Sequence, residues 1–176
     1  EGPRVHDLIN GLDLGPVAEK VRVADWGEGI NLTEGSVDIE VIERRNGTGW
    51  LVERLAELVE SHSPRGIICD ERGPVASLLP DLERAGVAVT TTSSVEFARA
   101  CGSFYDAYDQ KRLRHRGQPE LTNAIFGAAQ RPLGDAWAWS RKASTNDISP
   151  LVSATLGLWG VVIEVETRKF VAVGFA

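Results

Sequence analysis

Hydrophobic and polar positions along the chain divide it into strands, helices and turns. Leu8–Leu14 reads as a first strand with Asp13 near its end and Gly15-Pro16 as the turn. Lys20–Trp26 alternates apolar and polar residues, as a half-buried antiparallel strand does. Ser36–Glu43 alternates again, with Val37, Ile39 and Val41 on one face, so three antiparallel strands in succession form a meander. Asn46-Gly47 breaks it, and Thr48 is placed to cap a helix over Trp50–Glu60, where Leu51, Leu55, Leu58 and Val59 keep helical spacing. The apolar run Gly66–Cys69 then ends in two carboxylates, Asp70 and Glu71. Gly73-Pro74 turns the chain into an amphipathic segment that Gly86 stops, and a second apolar run, Val87–Val89, follows. Strand, helix and strand in this order make a βαβ unit, and open α/β sheets gather their chemistry at the carboxyl ends of such strands.

Ser93-Ser94 caps the next helix, whose apolar stripe is Phe97, Cys101, Phe104 or Tyr105, and Tyr108. That helix is expected to end in the basic run Lys111–Arg116, with Gly117 as its stop; cations there complement the macrodipole, and the run holds more of them than a cap needs. Glu120–Ala129 is a short helical pattern and Ala136–Ser140 alternates as a strand. Ser144-Thr145-Asn146 caps a last helix with Ile148, Leu151, Val152, Thr155 and Trp159 on one face, Pro150 falling in its first turn. Val161–Glu166 and Phe170–Val173 are expected to form a C-terminal hairpin, so that 161–176 extends a single domain spanning 1–176.

Composition narrows the class. At 176 residues, 43% hydrophobic and 25% charged, the chain has the make-up of one globular domain with a real core. No apolar run approaches the ~20 residues of a membrane span and no secretory signal occurs, so a membrane role is not expected. Cys69 and Cys101 fall in a strand and a helix and read as buried thiols of a reducing compartment. The sequence contains no Met, which is expected of a domain taken from a longer polypeptide, and its net charge of −6 argues against an indiscriminate nucleic-acid binder.

Three antiparallel strands followed by helix, strand, helix, strand and further helices resembles the element order of the ribonuclease H-like fold: an α/β mixed sheet, antiparallel in its first three strands and parallel in its fourth and fifth, flanked by helices. In that fold the first strand lies beside the fourth, and carboxylates from the first strand, the end of the fourth and a late helix converge. The matching positions here are Asp13, Asp70 and Asp147. Asp7 and Asp25 compete for the first place; Asp13 is favoured because it leaves Lys20–Trp26 as a full second strand, whereas Asp25 would shrink the next strand to Ile30–Leu32. Two divalent ions about 4 Å apart bridge a scissile phosphate in such sites, and Mg²⁺ or Mn²⁺ call for carboxylate oxygens. Taken singly, each acid has a plain structural role open to it: a turn for Asp13, a loop and cap for Asp70 and Glu71, a helix N-terminus for Asp147.

The run Val37–Trp50, ending Glu43-Arg-Arg-Asn-Gly-Thr-Gly-Trp50, and Ile67-Ile-Cys-Asp-Glu-Arg-Gly-Pro-Val-Ala-Ser-Leu-Leu79 resemble the nuclease domain of tailed-bacteriophage large terminase subunits. So do Gly134-Asp-Ala-Trp-Ala-Trp-Ser-Arg-Lys142 and Asp147–Gly160. The resemblance covers roughly residues 36–160. It implies an endonuclease that cuts concatemeric double-stranded viral DNA during genome packaging, with two Mg²⁺ or Mn²⁺ ions on Asp13, Asp70 and Asp147, in the cytoplasm of the infected bacterial host. It further implies an N-terminal ATPase motor on the same polypeptide, with the small terminase subunit and the portal as partners. No Gly-x4-Gly-Lys-Ser/Thr phosphate loop occurs in the chain. Arg131, Arg141, Lys142, Lys111 and Arg114 are the expected DNA contacts, a basic rim that would hold phosphates without reading sequence. Trp137 and Trp139 read as core or sheet-face residues, not base-stacking platforms, and His115 as a surface histidine. Two other readings stand beside this one: another ribonuclease H-like nuclease such as a junction resolvase, and a non-catalytic α/β domain that binds a nucleotide or a protein.

Overall fold

A computed structural model describes residues 36–165 and 172–175, a mixed α/β arrangement of short strands and helices. Its centre is the strand β2 (Gly66–Asp70), whose residues Ile67 to Asp70 are all buried. Successive side chains leave opposite faces of a strand, and here each face has its own core. Ile67 packs with Leu51, Leu55 and Leu58 of the helix α1 (Leu51–His62), and with Val75, Leu82 and Val87. Ile68 packs on the other side with Phe97, Cys101, Trp139, Leu151 and Val152. Burial on both faces explains why Ile-Ile-Cys is a continuous apolar run and not an alternating one.

After β2 the chain makes a 3-10 turn (Pro74–Leu78) and a short helix, α2 (Leu79–Arg84), then returns as β3 (Thr90–Thr92), parallel to β2 with Asp70 opposite Thr92. The expected βαβ unit is therefore present, with its second strand at Thr90–Thr92, just past the apolar run Val87–Val89. The helix α3 (Ser94–Asp109) starts with a reciprocal cap: Ser93 Oγ accepts from the Glu96 N–H, and the Glu96 carboxylate accepts from the Ser93 N–H at 2.7 Å. Next come the strand β4 (Leu113–His115), the helix α4 (Pro119–Gly127), and an antiparallel hairpin of β5 (Gln130–Leu133) and β6 (Ala136–Trp139). The helix α5 (Ser149–Val165) and the strand β7 (Ala172–Phe175) close the described chain. Among the described residues no helix is long and apolar enough to cross a membrane.

Four expectations change. The segment Val37–Ile39 is a strand, β1, but it pairs in parallel with β4; its expected antiparallel neighbours, Leu8–Leu14 and Lys20–Trp26, lie outside the described residues. Beyond β1 the Gln118 amide continues the ladder in place of a strand, accepting from the Val41 N–H and donating to its carbonyl, both at 2.8 Å. Lys111–Arg116 is not the last turn of a helix: α3 ends at Asp109, Lys111 takes a left-handed φ of 55°, and the chain re-emerges as β4. Val161–Val165 continue α5, and Ala172–Phe175 lie parallel to β2, so the tail is not a hairpin. That last pairing gives the order β3-β2-β7 and puts β7 on the edge of β2 where the first strand was expected.

Candidate active site

The carboxyl end of β2 delivers Asp70, 7% exposed. Its Oδ1 accepts from the Arg72 N–H at 3.0 Å, and the Gly73 N–H donates to its carbonyl at 2.9 Å, so the turn itself fixes the carboxylate. Its Oδ2 faces Arg141 Nη1 at 3.3 Å. Gly73 keeps this turn uncrowded: a Cβ there would lie 3.2 Å from the Asp70 carbonyl, a contact the neighbouring backbone would have to ease. Glu71, one residue on, is exposed and faces Arg72, away from this contact.

Arg141 follows β6 in a loop that is tied down at several points. Ser144 Oγ donates to the Ser140 carbonyl at 2.6 Å and accepts from the Ala129 N–H at 3.0 Å, while the Thr145 N–H donates to the Gly127 carbonyl at 2.9 Å. Asn146 donates to the Asn123 carbonyl through the space left by Gly127, where a Cβ would come within 2.5 Å of the asparagine side chain. The Ser144-Thr145-Asn146 run thus anchors the loop to α4 instead of capping α5. Held this way, the Arg141 guanidinium spends Nη1 on Asp70, while its Nε and Nη2 are buried and have no hydrogen-bond partner among the described residues. Buried donors of this kind are uncommon and ask for an acceptor.

Asp147 opens α5. Its Oδ1 accepts from the N–H and the Oγ of Ser149 at 2.9 and 2.7 Å, the role expected of Ser144–Asn146. Its Oδ2 accepts from Arg44 Nε at 3.1 Å and Nη2 at 2.7 Å. Partial burial by itself raises the Asp147 pKa, but the hydrogen bonds from Ser149 and Arg44 outweigh it and hold the group below its ordinary value.

Sequence reasoning singled out Asp70 and Asp147 but neither arginine partner of theirs as such. Arg44 sits 103 residues from Asp147, and its one visible signal was its place in the Glu43-Arg-Arg run. Asp13, Asp7 and Asp25 lie outside the described residues, and among the described residues no group of three or more His, Cys, Asp or Glu is placed to hold a metal.

The expected basic rim divides in two. Arg141 belongs with Asp70, and Arg131 lies exposed on β5, next to β6 in the hairpin that leads into the Arg141 loop; behind them burial pushes the Cys101 thiol pKa up to about 12. Lys142 is exposed on the same loop. Arg114 and Lys111 lie elsewhere, on β4 and the turn before it. The parallel register sets Asp38 of β1 opposite Arg114, which donates to it at 3.2 Å, and Arg116 pairs with Glu40 at 2.8 Å. Asp38 of β1 and Glu40 just past it thus neutralise Arg114 and Arg116. Cys69, like Cys101, is a buried free thiol, its pKa raised to about 11 chiefly by burial.

Comparison with protein-family models, with curated proteins and with solved structures found no match.

His115 is half-buried on β4, beside an apolar hollow of about 30 Å³ lined by Ile39, Phe104, Leu121, Trp139 and Leu151 among others. Its Nδ1 accepts from the Gly117 N–H at 3.0 Å, which leaves the proton of the neutral ring on Nε2. Burial lowers its pKa below the ordinary 6.5. Below that ordinary value the unfolded chain takes up a proton that the folded histidine resists, so stability is present above it and is lost as pH falls toward the folded pKa. Wild-type protein is therefore expected to lose more in Tm between pH 8 and pH 5 than His115→Gln. Equal losses in paired thermal melts would remove His115 as a source of the pH dependence.

Proposed function

We propose that this chain is a divalent-metal-dependent DNA endonuclease of the ribonuclease H-like class, the nuclease domain of a large terminase subunit that cuts concatemeric double-stranded DNA during packaging. One observation carries the reading: a buried carboxylate at the carboxyl end of the central parallel strand, held against an arginine with two buried donors that find no partner among the described residues. An acid and an anion-seeking cation side by side suit a site that must bind a metal and a phosphate together. The parallel βαβ unit and the late helix that follows Asp147, beginning at Ser149, support the fold assignment.

The donor set fits hard cations in kind, since Asp70 and Asp147 offer only oxygen. Asp70 and Asp147 would hold Mg²⁺ or Mn²⁺, together with Asp13 as the expected third acid. Two such ions, when bound, supply an activated water and neutralise the leaving oxygen. The protein's own part is to fix the two carboxylates through Arg72, Gly73 and Ser149, and to offer Arg141 Nε and Nη2 to a phosphate oxygen. Arg131 and Lys142 would extend that contact along the backbone. The N-terminal ATPase motor, the small subunit and the portal are the proposed partners, and the infected bacterial cytoplasm the proposed setting.

The test is nicking of supercoiled plasmid with Mn²⁺ or Mg²⁺. Cleavage that EDTA abolishes is expected, and linear duplex should be cut at least as well as a four-way junction. A preference for junctions would instead select a resolvase. A second reading, a binding domain without catalysis, has its own support, because both carboxylates are already neutralised by arginines. No cleavage, together with no Mn²⁺-induced rise in Tm, would select it.

A further inference from the structure

The hydrogen bonds of Asp147 have a consequence for how a cation reaches it. A carboxylate offers about four lone-pair directions. All four are in use: Ser149 N–H and Oγ–H on Oδ1, Arg44 Nε–H and Nη2–H on Oδ2. Ser149 lies two residues along the same helix start, so its two bonds come with the fold of α5. Arg44 arrives from the loop between β1 and α1, and its side chain and that of Asp147 are 43% and 48% exposed. The Arg44 contact is therefore the one that can be exchanged.

The loop is built to return Arg44 to this place. On one side Glu43 is held by both Arg45 and Arg54, the latter at 2.7 Å; on the other the Arg45 guanidinium lies over the Trp50 ring, 5.2 Å from its centre. Trp50 in turn donates from Nε1 to the Gly47 carbonyl at 2.9 Å. Both sequence neighbours of Arg44 are thus anchored, while its own side chain reaches Asp147.

We propose that Arg44 is a latch on the site: it holds Asp147 Oδ2 in the resting protein, competes with a divalent cation for that oxygen, and once displaced offers its guanidinium to the phosphate backbone beside the same carboxylate. This inference rests on the nuclease reading of Asp147. It adds a residue that belongs to neither the acid set nor the basic rim. Arg44 is a positioning residue, because it acts through Asp147.

The experiment measures Mn²⁺ binding to the full chain without DNA, by the loss of the free-ion paramagnetic resonance signal. Wild type is compared with Arg44→Gln, Arg44→Lys and Arg45→Gln, each first checked for folding by thermal melt. Arg44→Gln is expected to bind Mn²⁺ roughly 1.5-fold to fivefold more tightly, the range that one exposed ion pair supports. Arg44→Lys is expected to fall between, since a lysine cannot place two donors on one oxygen. Arg45→Gln removes the same charge one residue away and is expected to bind as wild type does. With Ca²⁺ in place of Mn²⁺, to prevent cleavage, Arg44→Gln should bind duplex DNA several-fold more weakly despite its tighter hold on the cation. Equal gains in Arg44→Gln and Arg45→Gln would reduce the effect to net charge and overturn the latch, as would unchanged or weaker Mn²⁺ binding in Arg44→Gln. Failure of every variant, wild type included, to bind Mn²⁺ would overturn the nuclease reading itself and the latch with it.

Discussion

Asparagine at position 70 is expected to lower metal-dependent DNA cleavage by at least about 100-fold, because loss of even an outer-shell partner of a metal ligand typically costs 10–100-fold. The substitution keeps the shape of the side chain, and its carbonyl oxygen can still accept the Arg72 N–H that Asp70 accepts at 3.0 Å. What it removes is the charge. Arg141 would lose its ionic partner at 3.3 Å while two of its other donors already lack one among the described residues. Breaking a fully buried pair costs several kcal/mol, but Arg141 is 32% exposed and water screens part of the loss, so about 1–2 kcal/mol is expected. The two readouts then separate. Arg141→Gln should restore much of the stability of Asp70→Asn, since it removes the unpaired cation, and should restore none of the cleavage. Plasmid nicking and urea unfolding on the two single variants and the double variant check this. Asp70→Asn that is folded and cuts at the wild-type rate would end the assignment of Asp70 to the chemistry.

The elements that could be read from the sequence are those fixed by neighbours along the chain. The helix expected over Trp50–Glu60 is α1, whose buried Leu51, Leu55 and Leu58 are the residues that set its period. The Ser93 cap needed only Glu96 three residues on, and both halves of it are formed. The strand ending at Asp70 followed from a short apolar run stopped by acids and a Gly-Pro turn. Trp139 is buried and Trp137 half-buried against it, as expected of core and sheet-face residues. What failed was pairing at a distance. Leu113–His115 has too few apolar residues to announce a strand, and it becomes one because β1 lies beside it, with Asp38 and Glu40 facing Arg114 and Arg116. In the same way Val161–Val165 are apolar enough for a strand, yet they extend a helix whose buried face already runs through Leu151, Ala154, Leu158 and Val161. The candidate site shows the same division. Asp70 and Asp147 are marked by the elements that carry them. Their arginines come from 71 and 103 residues away, and no local rule joins them.

Truncating Trp139 to alanine is expected to destabilise the fold by about 3–5 kcal/mol, the usual cost of losing a large buried aromatic. Trp139 is 4% exposed and meets Phe104 edge to face, the ring centres 6.5 Å apart, and Trp137 at 4.8 Å. Its Nε1 donates to Thr155 Oγ1 at 3.0 Å, and that hydroxyl donates onward to the Leu151 carbonyl at 2.8 Å, so the indole ties β6 to α5. For a domain of this size, roughly 2–4 °C per kcal/mol converts the loss to a fall in Tm of about 6–20 °C. Trp139→Phe keeps the ring contacts and leaves Thr155 still bonded through its own hydrogen, so it should cost much less, about 1–2 kcal/mol. Thr155→Val tests the hydrogen bond from the other side. It strands the buried indole N–H, which costs about 1–3 kcal/mol. A fall in Tm of less than about 2 °C for Trp139→Ala would mean that β6 and α5 are held together by something other than this side chain. The effect should also reach the site. Trp139 lies two residues before Arg141, and slack at the end of β6 lets the loop that aims Arg141 at Asp70 drift. At a temperature where Trp139→Ala is still folded, cleavage should therefore fall further than the folded fraction alone accounts for, while Trp139→Phe should retain most of it.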